Sequence, residues 1–254
     1  MKFINDNKLN RIKLNKNNFY VLVDFDRTLT KGNSISGWRI LYYSNLVEDD
    51  FRHKYDIIHK KTSLDEFESK ENKINAFENR FKEYMELLKQ NNLDNEIIRK
   101  SVENCDVQLR DGAKEFFKKM YDNEVPVIII SCSLGNVIME YLKYNNCYYD
   151  NVHIYSNYFM SNGNHIYNIT PYNKNEIIFE AKIKDRIVNR KYILLLGDII
   201  EDKNMVLKEK LDDTITIGFL DKNIKENLEL YKNNFDIVLT DNSSFSELDE
   251  FINI

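Results

Sequence analysis

The hydrophobic positions of this chain fall into short continuous runs that alternate with segments of helical spacing. Continuous runs rich in Val, Ile, Leu, Phe and Tyr are typical of strands buried on both faces of a sheet. Such runs span residues 19–23, 125–130, 152–156, 192–196, 214–219 and 235–240. Helical patterns follow at residues 111–120, where Asp111 occupies the N-cap position, and at residues 136–144 and 224–231. Residues 171–176 lead into a further helix that runs through Arg190. This alternation predicts an α/β fold with a parallel, doubly wound sheet.

Residues 31–104 follow a different pattern. They contain no proline, and their apolar residues recur at intervals of three and four between Lys and Glu residues. This spacing is typical of amphipathic helices. We therefore predict a core made of residues 1–33 and 105–254, with an α-helical cap domain at residues 34–104 inserted after the first strand. A hairpin is predicted at residues 158–169, with a turn at Gly163.

Charge and composition exclude several classes of function. The 254 residues carry a formal net charge of −5, whereas a protein that binds nucleic acid usually presents a basic face. No stretch approaches the roughly 18 uncharged apolar residues of a membrane span, and the start of the chain lacks the apolar segment of a signal peptide. Three cysteines form no disulfide framework or metal-type spacing. We expect a cytoplasmic protein, a monomer, that binds neither nucleic acid polymers nor membranes.

Two carboxylates follow the first predicted strand. Asp24 and Asp26 are two residues apart, so an extended backbone directs both to one side of the chain. Carboxylates this close repel each other unless a cation lies between them or one takes up a proton. A carboxylate that coordinates magnesium can be a nucleophile, and a protonated one can be a general acid. The competing interpretation is that both acids only cap a turn or the next helix.

Further polar groups occur where a phosphate site would need them. Ser131 and Cys132 follow the second predicted strand, Lys174 lies at a predicted helix start, and Asp198 and Asp202 follow the fourth strand. The carboxyl ends of parallel strands meet at the edge where open α/β sheets bind ligands. We assign phosphate binding to Ser131, Cys132 and Lys174, because hydroxyl, amide and ammonium groups stabilise phosphoryl oxygens. Asp198 and Asp202 can hold Mg²⁺.

The order of these parts resembles that of the haloacid dehalogenase superfamily. Residues 24–28, Asp-Phe-Asp-Arg-Thr, match its first motif, and the C-terminal half is similar to the pyrimidine 5′-nucleotidase family, which includes cytosolic 5′-nucleotidase type III. The similar stretches are residues 156–158, 173–174, 193–198, 217–221 and 235–239. The resemblance implies Mg²⁺ as the cofactor, and Lys174 rather than Lys182 or Lys184 as the third motif. The expected metal ligands are Asp24, Asp26, Asp198 and Asp202.

Two departures from the family pattern concern the substrate. The family's second motif typically reads Ser-Ala-Gly-Ile-Gly, but residues 131–135 read Ser-Cys-Ser-Leu-Gly, so Ser133 stands where glycine is usual. The helical cap, which recognises the base in this family, matches poorly, and Glu66 is the nearest counterpart of the base-contacting glutamate. We treat Glu66 and Ser133 as candidate substrate-binding residues. Aromatic residues that can either stack on a base or pack between helices are Trp38, Tyr42, Tyr43 and Phe51.

Together these features predict a magnesium-dependent phosphomonoesterase that acts through an aspartyl phosphate on Asp24, with Asp26 as general acid and base. The expected substrate is a nucleoside 5′-monophosphate, with a pyrimidine preferred. Two alternatives remain: a phosphatase of the same superfamily for another small phosphomonoester, such as a phosphoserine or sugar phosphate, and a non-catalytic protein that binds a phospholigand. A receiver domain also phosphorylates an aspartate, but it is much shorter and its acid pair precedes the phosphorylated residue.

Overall fold

The computed structural model describes residues 2–4, 6–60, 69–159, 169–177 and 179–254, and its centre is a seven-stranded sheet. The strands in these residues are β1 (Lys2–Ile4), β2 (Leu14–Asn15), β3 (Phe19–Val23), β4 (Val127–Leu134), β5 (Val152–Asn157), β6 (Tyr192–Gly197), β7 (Thr214–Leu220), β8 (Ile237–Thr240) and β9 (Ile252–Asn253). The sheet has the order β1-β8-β7-β6-β3-β4-β5, and β2 pairs with β9 separately. All pairs in the sheet are parallel except β1 with β8.

The register of the middle strands brings their carboxyl ends to one edge. Val23 at the end of β3 pairs with Leu196 of β6 on one side and with Ile129 of β4 on the other. These strands are fully buried because apolar helices cover both faces, and each buried aliphatic side chain contributes about 1.5–3 kcal/mol. Residues that follow β3 and β6 in sequence must therefore lie side by side, as the sequence predicts.

The predicted strands are all present, with some shifted ends. β4 continues to Leu134, with a register shift after Ile130, so Ser131 lies within the strand and not after it. The two shortest pairings were not predicted, because β1 and the β2–β9 pair contain only two or three residues each. The predicted hairpin at residues 158–169 lies for the most part outside the described residues.

The helices of the core alternate with the strands, as predicted, but one N-cap assignment is wrong. The helix expected at residues 111–120 begins at Ala113, and its N-cap is Gly112, with φ 76° and no side-chain cap, in place of Asp111. A left-handed φ favours glycine, which explains the shift. Residues 171–176, expected to lead into a helix that runs through Arg190, contain a 3₁₀ turn at Lys174–Glu176, and the α-helix that follows is short and ends at Ile187. In chain order the α-helices are α1 (Asp6–Leu9), α2 (Gly37–Tyr42), α3 (Asp49–Lys60), α4 (Lys70–Gln90), α5 (Asn95–Glu103), α6 (Ala113–Asp122), α7 (Gly135–Tyr144), α8 (Ala181–Ile187) and α9 (Ile224–Lys232).

Helices α2 to α5 form the inserted cap. α3 packs against α4, and α5 packs against α7 of the core. The two segments that join cap and core pair with each other, because Thr30 bridges to Leu109 and the Lys31 amide donates to the Gln108 carbonyl at 3.0 Å. The predicted fold class, an α/β core with a helical cap, is confirmed. Within the ranges that the structure describes, no helix is both long enough and apolar enough to cross a membrane.

Candidate active site

A buried lysine joins two of the predicted acids at the carboxyl edge of the sheet. Lys174 Nζ donates to Asp24 Oδ1 and to Asp202 Oδ1, each at 2.7 Å. All three side chains are almost completely buried. Burial alone would lower the pKa of Lys174, but the carboxylates of Asp202 and Asp24 raise that pKa well above its ordinary value. The site therefore holds Lys174 as a cation.

The alternative lysines lie elsewhere. Lys182 and Lys184 are exposed on α8, and Lys182 pairs with Glu180 at the surface. Their exposure excludes both from the buried site in this conformation. Lys174 reaches the site because it begins the 3₁₀ turn at Lys174–Glu176, where Asn173 Oδ1 accepts the Thr170 amide at 2.7 Å and fixes the approach of the chain.

Asp202 organises the loop that carries Asp198. Its second oxygen, Oδ2, accepts the amides of Asp198 and Ile199 at 2.9 and 3.1 Å. A side chain at residue 197 would prevent this, because a Cβ on Gly197 would lie 2.4 Å from Asp202 Cβ. The hydroxyl of Tyr231 donates to the Asp198 carbonyl. The Asp198 carboxylate is thus directed by fixed backbone contacts, while its own oxygens stay available.

Three carboxylates are close enough to share a cation. Oxygen atoms of Asp24, Asp198 and Asp202 all lie within 4.8 Å of one another. Burial, reinforced by Asp202 and Asp24, raises the pKa of Asp198 well above its ordinary value. Arg27 offsets little of the negative charge of Asp198, since its Nε is 3.7 Å from Asp198 Oδ2. Hard oxygen donors with excess negative charge fit Mg²⁺. The carboxylate of Asp26, a predicted fourth ligand, is not part of this cluster.

Asp26 instead contacts the cap. Its Oδ1 accepts the amide of Gly37, the first residue of α2, at 2.7 Å. Burial raises the pKa of Asp26 to about 6, and the Gly37 amide and the Arg27 guanidinium limit the rise. Burial raises the pKa of Asp24 to about 7, with Lys174 opposing. Asp26 therefore has the proton affinity of a general acid near neutral pH.

The predicted phosphate loop lies beside these acids. Ser131 is buried, and its Oγ accepts the Ser133 amide at 3.2 Å. Ser133 Oγ is buried and lies near Asp26, whose pKa its hydroxyl helps to lower. The Cys132 carbonyl accepts bonds from Trp38 Nε1 at 3.1 Å and Asn157 Nδ2 at 3.0 Å. Burial raises the pKa of the Cys132 thiol to about 12, so this thiol is no nucleophile. The buried Ser133 hydroxyl is placed to donate to a ligand that accepts hydrogen bonds.

A cavity of about 240 Å³ lies between Asp26 of the core and the helices of the cap. On the core side it is lined by Asp26, Cys132, Ser133 and Asn157. A larger groove, of about 680 Å³, follows the segments that join cap and core; Tyr43 lines it, but none of the predicted catalytic, phosphate-binding or metal-binding residues does. We therefore take the smaller cavity as the candidate substrate site. Its cap side is lined by Trp38, Arg39, Tyr55, His59, Phe77, Arg80, Phe81 and Tyr84.

The predicted cap residues have mixed outcomes. Trp38 lines the cavity, whereas Tyr42, Tyr43 and Phe51 do not. Phe51 is buried between helices, as its packing interpretation predicts. Glu66 lies outside the described residues, so its assignment stays a prediction.

One functional group was missed by the sequence analysis. Arg110 is completely buried, and it donates to the carbonyls of Thr28 and Arg27 in the loop that follows Asp26. Its Nη2 also pairs with Asp221 Oδ2 at 2.8 Å. The loop needs such support, because Arg27 has a left-handed φ of 61°. A single arginine between Leu109 and Asp111 gives no pattern that would indicate this role.

The sheet edge, the acid pair after β3, the buried lysine and the later acids define the class. The chain is a phosphatase of the haloacid dehalogenase superfamily, of the 5′-nucleotidase type. The family model described as Pyrimidine 5′-nucleotidase (UMPH-1) matches residues 24–253, and the chain belongs to that family.

Similar proteins support this assignment. The 7-methylguanosine phosphate-specific 5′-nucleotidase A of Xenopus laevis is 29% identical over 237 residues, covering 86% of this chain and 81% of the relative. The putative cytosolic 5′-nucleotidase 3 of Caenorhabditis elegans is 24% identical, covering 92% and 68%. Among solved structures, cytosolic 5′-nucleotidase IIIB bound to cytidine has a TM-score of 0.77 at 22% identity, covering 96% of this chain and 89% of that one. At this identity the structural likeness shows the fold alone.

Proposed function

We propose that this protein hydrolyses nucleoside 5′-monophosphates, preferring pyrimidines, through an aspartyl phosphate on Asp24 and with Mg²⁺ as cofactor. The observation that carries the proposal is the bridge from Lys174 to both Asp24 and Asp202. Asp26, two residues after Asp24, lines the core side of a cavity whose cap side is aromatic. The phosphate group of a nucleotide would thus lie on the core side and its base on the cap side of the cavity.

The first half of the reaction uses the two acids after β3 in different protonation states. Asp24 attacks phosphorus and forms an acyl phosphate, while the P–O bond to the nucleoside breaks. Asp26 gives its proton to the departing alkoxide, which leaves as the nucleoside. The raised pKa of Asp26, about 6, supports this role because a useful fraction of the acid keeps its proton near neutral pH.

The second half returns the enzyme to its starting state. Asp26, now ionised, takes a proton from water as the water oxygen attacks phosphorus. The bond from phosphorus to Asp24 breaks, and phosphate leaves. Throughout, Lys174, the Ser131 hydroxyl and the backbone at Cys132 would bind the phosphoryl oxygens and stabilise the charge that spreads over them.

The residues present fit a magnesium ion. Asp24 and Asp198 would bind it directly, and Asp202, whose oxygens already accept three hydrogen bonds, would act through the loop or through water. The ion would supply positive charge that keeps Asp24 ionised and that offsets charge on the phosphoryl group.

The pyrimidine preference rests on the family to which the chain belongs. The names of several relatives instead specify 7-methylguanosine phosphate, so base selection needs direct measurement. We also propose that the cap comprises residues 34–104 and the core residues 1–33 and 105–254, since the paired linkers at Thr30 and Leu109 lie near those boundaries. A monomeric, cytoplasmic protein is proposed on the composition and on cysteines that are free in the structure.

Phosphate release from a panel of substrates tests the proposal. The panel contains uridine, cytidine, guanosine and 7-methylguanosine 5′-monophosphates, together with phosphoserine and a sugar phosphate. We expect the nucleotides to be hydrolysed at least about tenfold better than the others by kcat/KM. A preference for phosphoserine or a sugar phosphate would establish the alternative phosphatase, and nucleotide binding without phosphate release would establish a binding protein.

Variants test the chemistry. Asp24→Asn should lower kcat about a thousandfold or more, and Asp26→Asn about a hundredfold to ten-thousandfold. Asp212→Asn, at an exposed carboxylate on the surface, is the matched control and should keep full activity. Chelation should abolish turnover and added Mg²⁺ should restore it. A full rate in the presence of chelator would contradict the metal assignment.

A further inference from the structure

The cap end of the cavity carries positive charge. Of the charged side chains that line the cavity in the described parts of the chain, Arg27, Arg39 and Arg80 are cationic and Asp26 is the acid. Asp26 and Arg27 belong to the core and face the site of phosphoryl transfer. The cap therefore contributes Arg39 and Arg80 to its own side of the cavity, where the leaving group of a phosphomonoester would lie.

Arg39 is the first cationic side chain that the cap contributes to this cavity. It lies on α2 beside Trp38, whose Nε1 anchors the helix to the Cys132 carbonyl. The side chain is half-buried, and no hydrogen bond or ion pair engages its guanidinium in the described residues. A partly desolvated guanidinium has five donors and no acceptor, so it favours a ligand that offers acceptors or negative charge.

The surroundings of Arg80 agree with a positive potential. Arg80 lies on α4, with its guanidinium carbon 5.4 Å from the centre of the Phe77 ring. His59 lines the cap side of the same cavity. Burial lowers its pKa most, and the positive charges of Arg80 and Arg39 lower it further. Asp56, the carboxylate that opposes this lowering of the His59 pKa, accepts a hydrogen bond from Tyr42 at 2.9 Å and does not line the cavity.

The aromatic side chains leave little open ring face for a cation. Tyr55 stacks on Tyr84, with ring centres 4.7 Å apart, and Trp38 packs against Tyr84 at 5.3 Å. Arg80 itself occupies one face of Phe77. In a cavity this small, repulsion between like charges exceeds the attraction of one ring for a cation. A positively charged base would thus meet two arginines before it met a free aromatic face.

We propose that Arg39 and Arg80 form a base-selecting subsite that accepts an uncharged base with hydrogen-bond acceptors on its edge and disfavours a cationic base such as 7-methylguanine. The inference rests on the proposed nucleotidase function and extends it to the side chains that select the substrate. It sets this chain apart from relatives whose names specify 7-methylguanosine phosphate.

Guanosine 5′-monophosphate and its 7-methyl derivative are a matched pair for the test, because they differ by one methyl group and one positive charge. Both are assayed at a pH where the methylated ring is cationic. We expect wild-type kcat/KM to be about tenfold higher for the unmethylated nucleotide. Arg39→Gln and Arg80→Gln should each lower this ratio about fivefold, mainly through KM, because the contact is made in ground and transition states alike.

Three controls separate charge from size and from folding. Arg39→Lys keeps the charge and should keep the ratio, whereas a purely steric exclusion of the methyl group would leave the ratio unchanged in every variant. Arg99→Gln, at an exposed arginine of α5 that pairs with Glu103, should match wild type. Ribose 5-phosphate lacks a base, so equal rates on it show that each variant retains its catalytic groups.

The outcomes are distinguishable. A wild-type preference for the methylated nucleotide, or a ratio that Arg39→Gln and Arg80→Gln leave unchanged, would overturn the subsite while the nucleotidase stands. Failure of wild type to hydrolyse any nucleotide would overturn the proposed function itself, and the subsite with it.

Discussion

The carboxyl edge of the sheet, which we call the floor, and the cap side of the cavity, which we call the wall, handle charge in opposite ways. On the floor, the charged groups are buried and engage one another, as Lys174 does with Asp24 and Asp202. On the wall, Arg39 is half-buried and has no partner in the described residues. The floor is built on the ends of parallel strands, where the backbone fixes each side chain, and the wall on helices that contact one another through side chains.

This contrast separates catalysis from selection. Groups that transfer a phosphoryl unit must keep fixed positions, since an error of about 1 Å can cost a hundredfold in rate. Groups that select a leaving group need donors that are free until the ligand arrives. A change on the floor should therefore alter kcat and stability together, and a change on the wall should alter KM with little effect on stability.

The largest expected effect comes from removing the cation of the floor. Lys174→Met leaves Asp24 and Asp202 buried without their common partner. We expect a loss of about 3–5 kcal/mol in the free energy of unfolding and of at least about a thousandfold in kcat. Denaturant unfolding and phosphate release measure these two quantities.

The matched control for that variant is Lys182→Met on α8. Lys182 has 69% of its side chain exposed, in a surface pair with Glu180, so both quantities should stay near wild type. Equal effects of the two substitutions would show that Lys174 contributes only a generic positive charge.

The next effect concerns the support of the floor. Arg110→Lys keeps a charge for Asp221 but loses the fork of donors that holds the carbonyls of Arg27 and Thr28. We expect kcat to fall about tenfold to a hundredfold with KM nearly unchanged, because Asp26 is carried by the same loop. Steady-state kinetics separate kcat from KM.

Arg190→Lys tests whether any loss of an arginine fork has this result. Arg190 donates to the carbonyls of Phe19 and Glu124, near the opposite ends of the strands. This variant should lose stability and keep kcat. A similar fall of kcat in both variants would make Arg110 a general stabiliser and not a positioning residue.

A smaller effect is expected where cap and floor meet. Trp38→Phe keeps an aromatic ring next to Tyr84 and removes the bond from Nε1 to the Cys132 carbonyl. The loss of one hydrogen bond corresponds to about a twofold to tenfold change in kcat/KM. An unchanged kcat/KM would show that the contact does not help to place the cap.

The smallest effect compares the floor with His153 on β5, a partly buried group whose cationic neighbours, Arg186 and Lys182, outweigh the one carboxylate, Glu180. Burial, together with the positive charges of Arg186 and Lys182, lowers the pKa of His153 to about 4 from an ordinary value of 6.5. The unfolded chain takes up a proton below pH 6.5 and the folded chain does not until about pH 4. Stability should therefore fall by about 1 kcal/mol, allowing for partial exposure, as the pH drops through this window.

His153→Gln should flatten that part of the stability profile, and His53→Gln, at an exposed histidine of α3, should not. Thermal unfolding measured from pH 7 to pH 4 checks both. A profile of His153→Gln that parallels wild type would show that other groups govern the acid sensitivity.

The sequence predicts the floor better than the wall for a physical reason. Asp24 and Asp198 follow long apolar runs, and parallel strands bring such positions together whatever the rest of the chain does. Lys174 was identified by resemblance, since its own segment forms a 3₁₀ turn and not the expected long helix. The helical character of the cap was predictable from spacing, but the cavity wall was not, because helices can pack with many relative rotations.

Local backbone geometry explains most of the remaining differences. Aspartate is a preferred N-cap residue, yet Gly112 and not Asp111 takes the N-cap position, because the turn requires a left-handed φ. Arginine is usually a surface residue, yet Arg110 is completely buried. The carbonyl groups that accept its hydrogen bonds belong to a loop far away in sequence. Such long-range pairings leave no periodic signal.

Trp38 has one further consequence. It is the only tryptophan in the chain, and its indole bridges the cap to the carbonyl of Cys132. Tryptophan fluorescence, excited at wavelengths that tyrosine does not absorb, therefore arises from a single known position where the cap meets the core. Opening, closing and ligand entry can be followed optically in the unmodified protein, with no added dye.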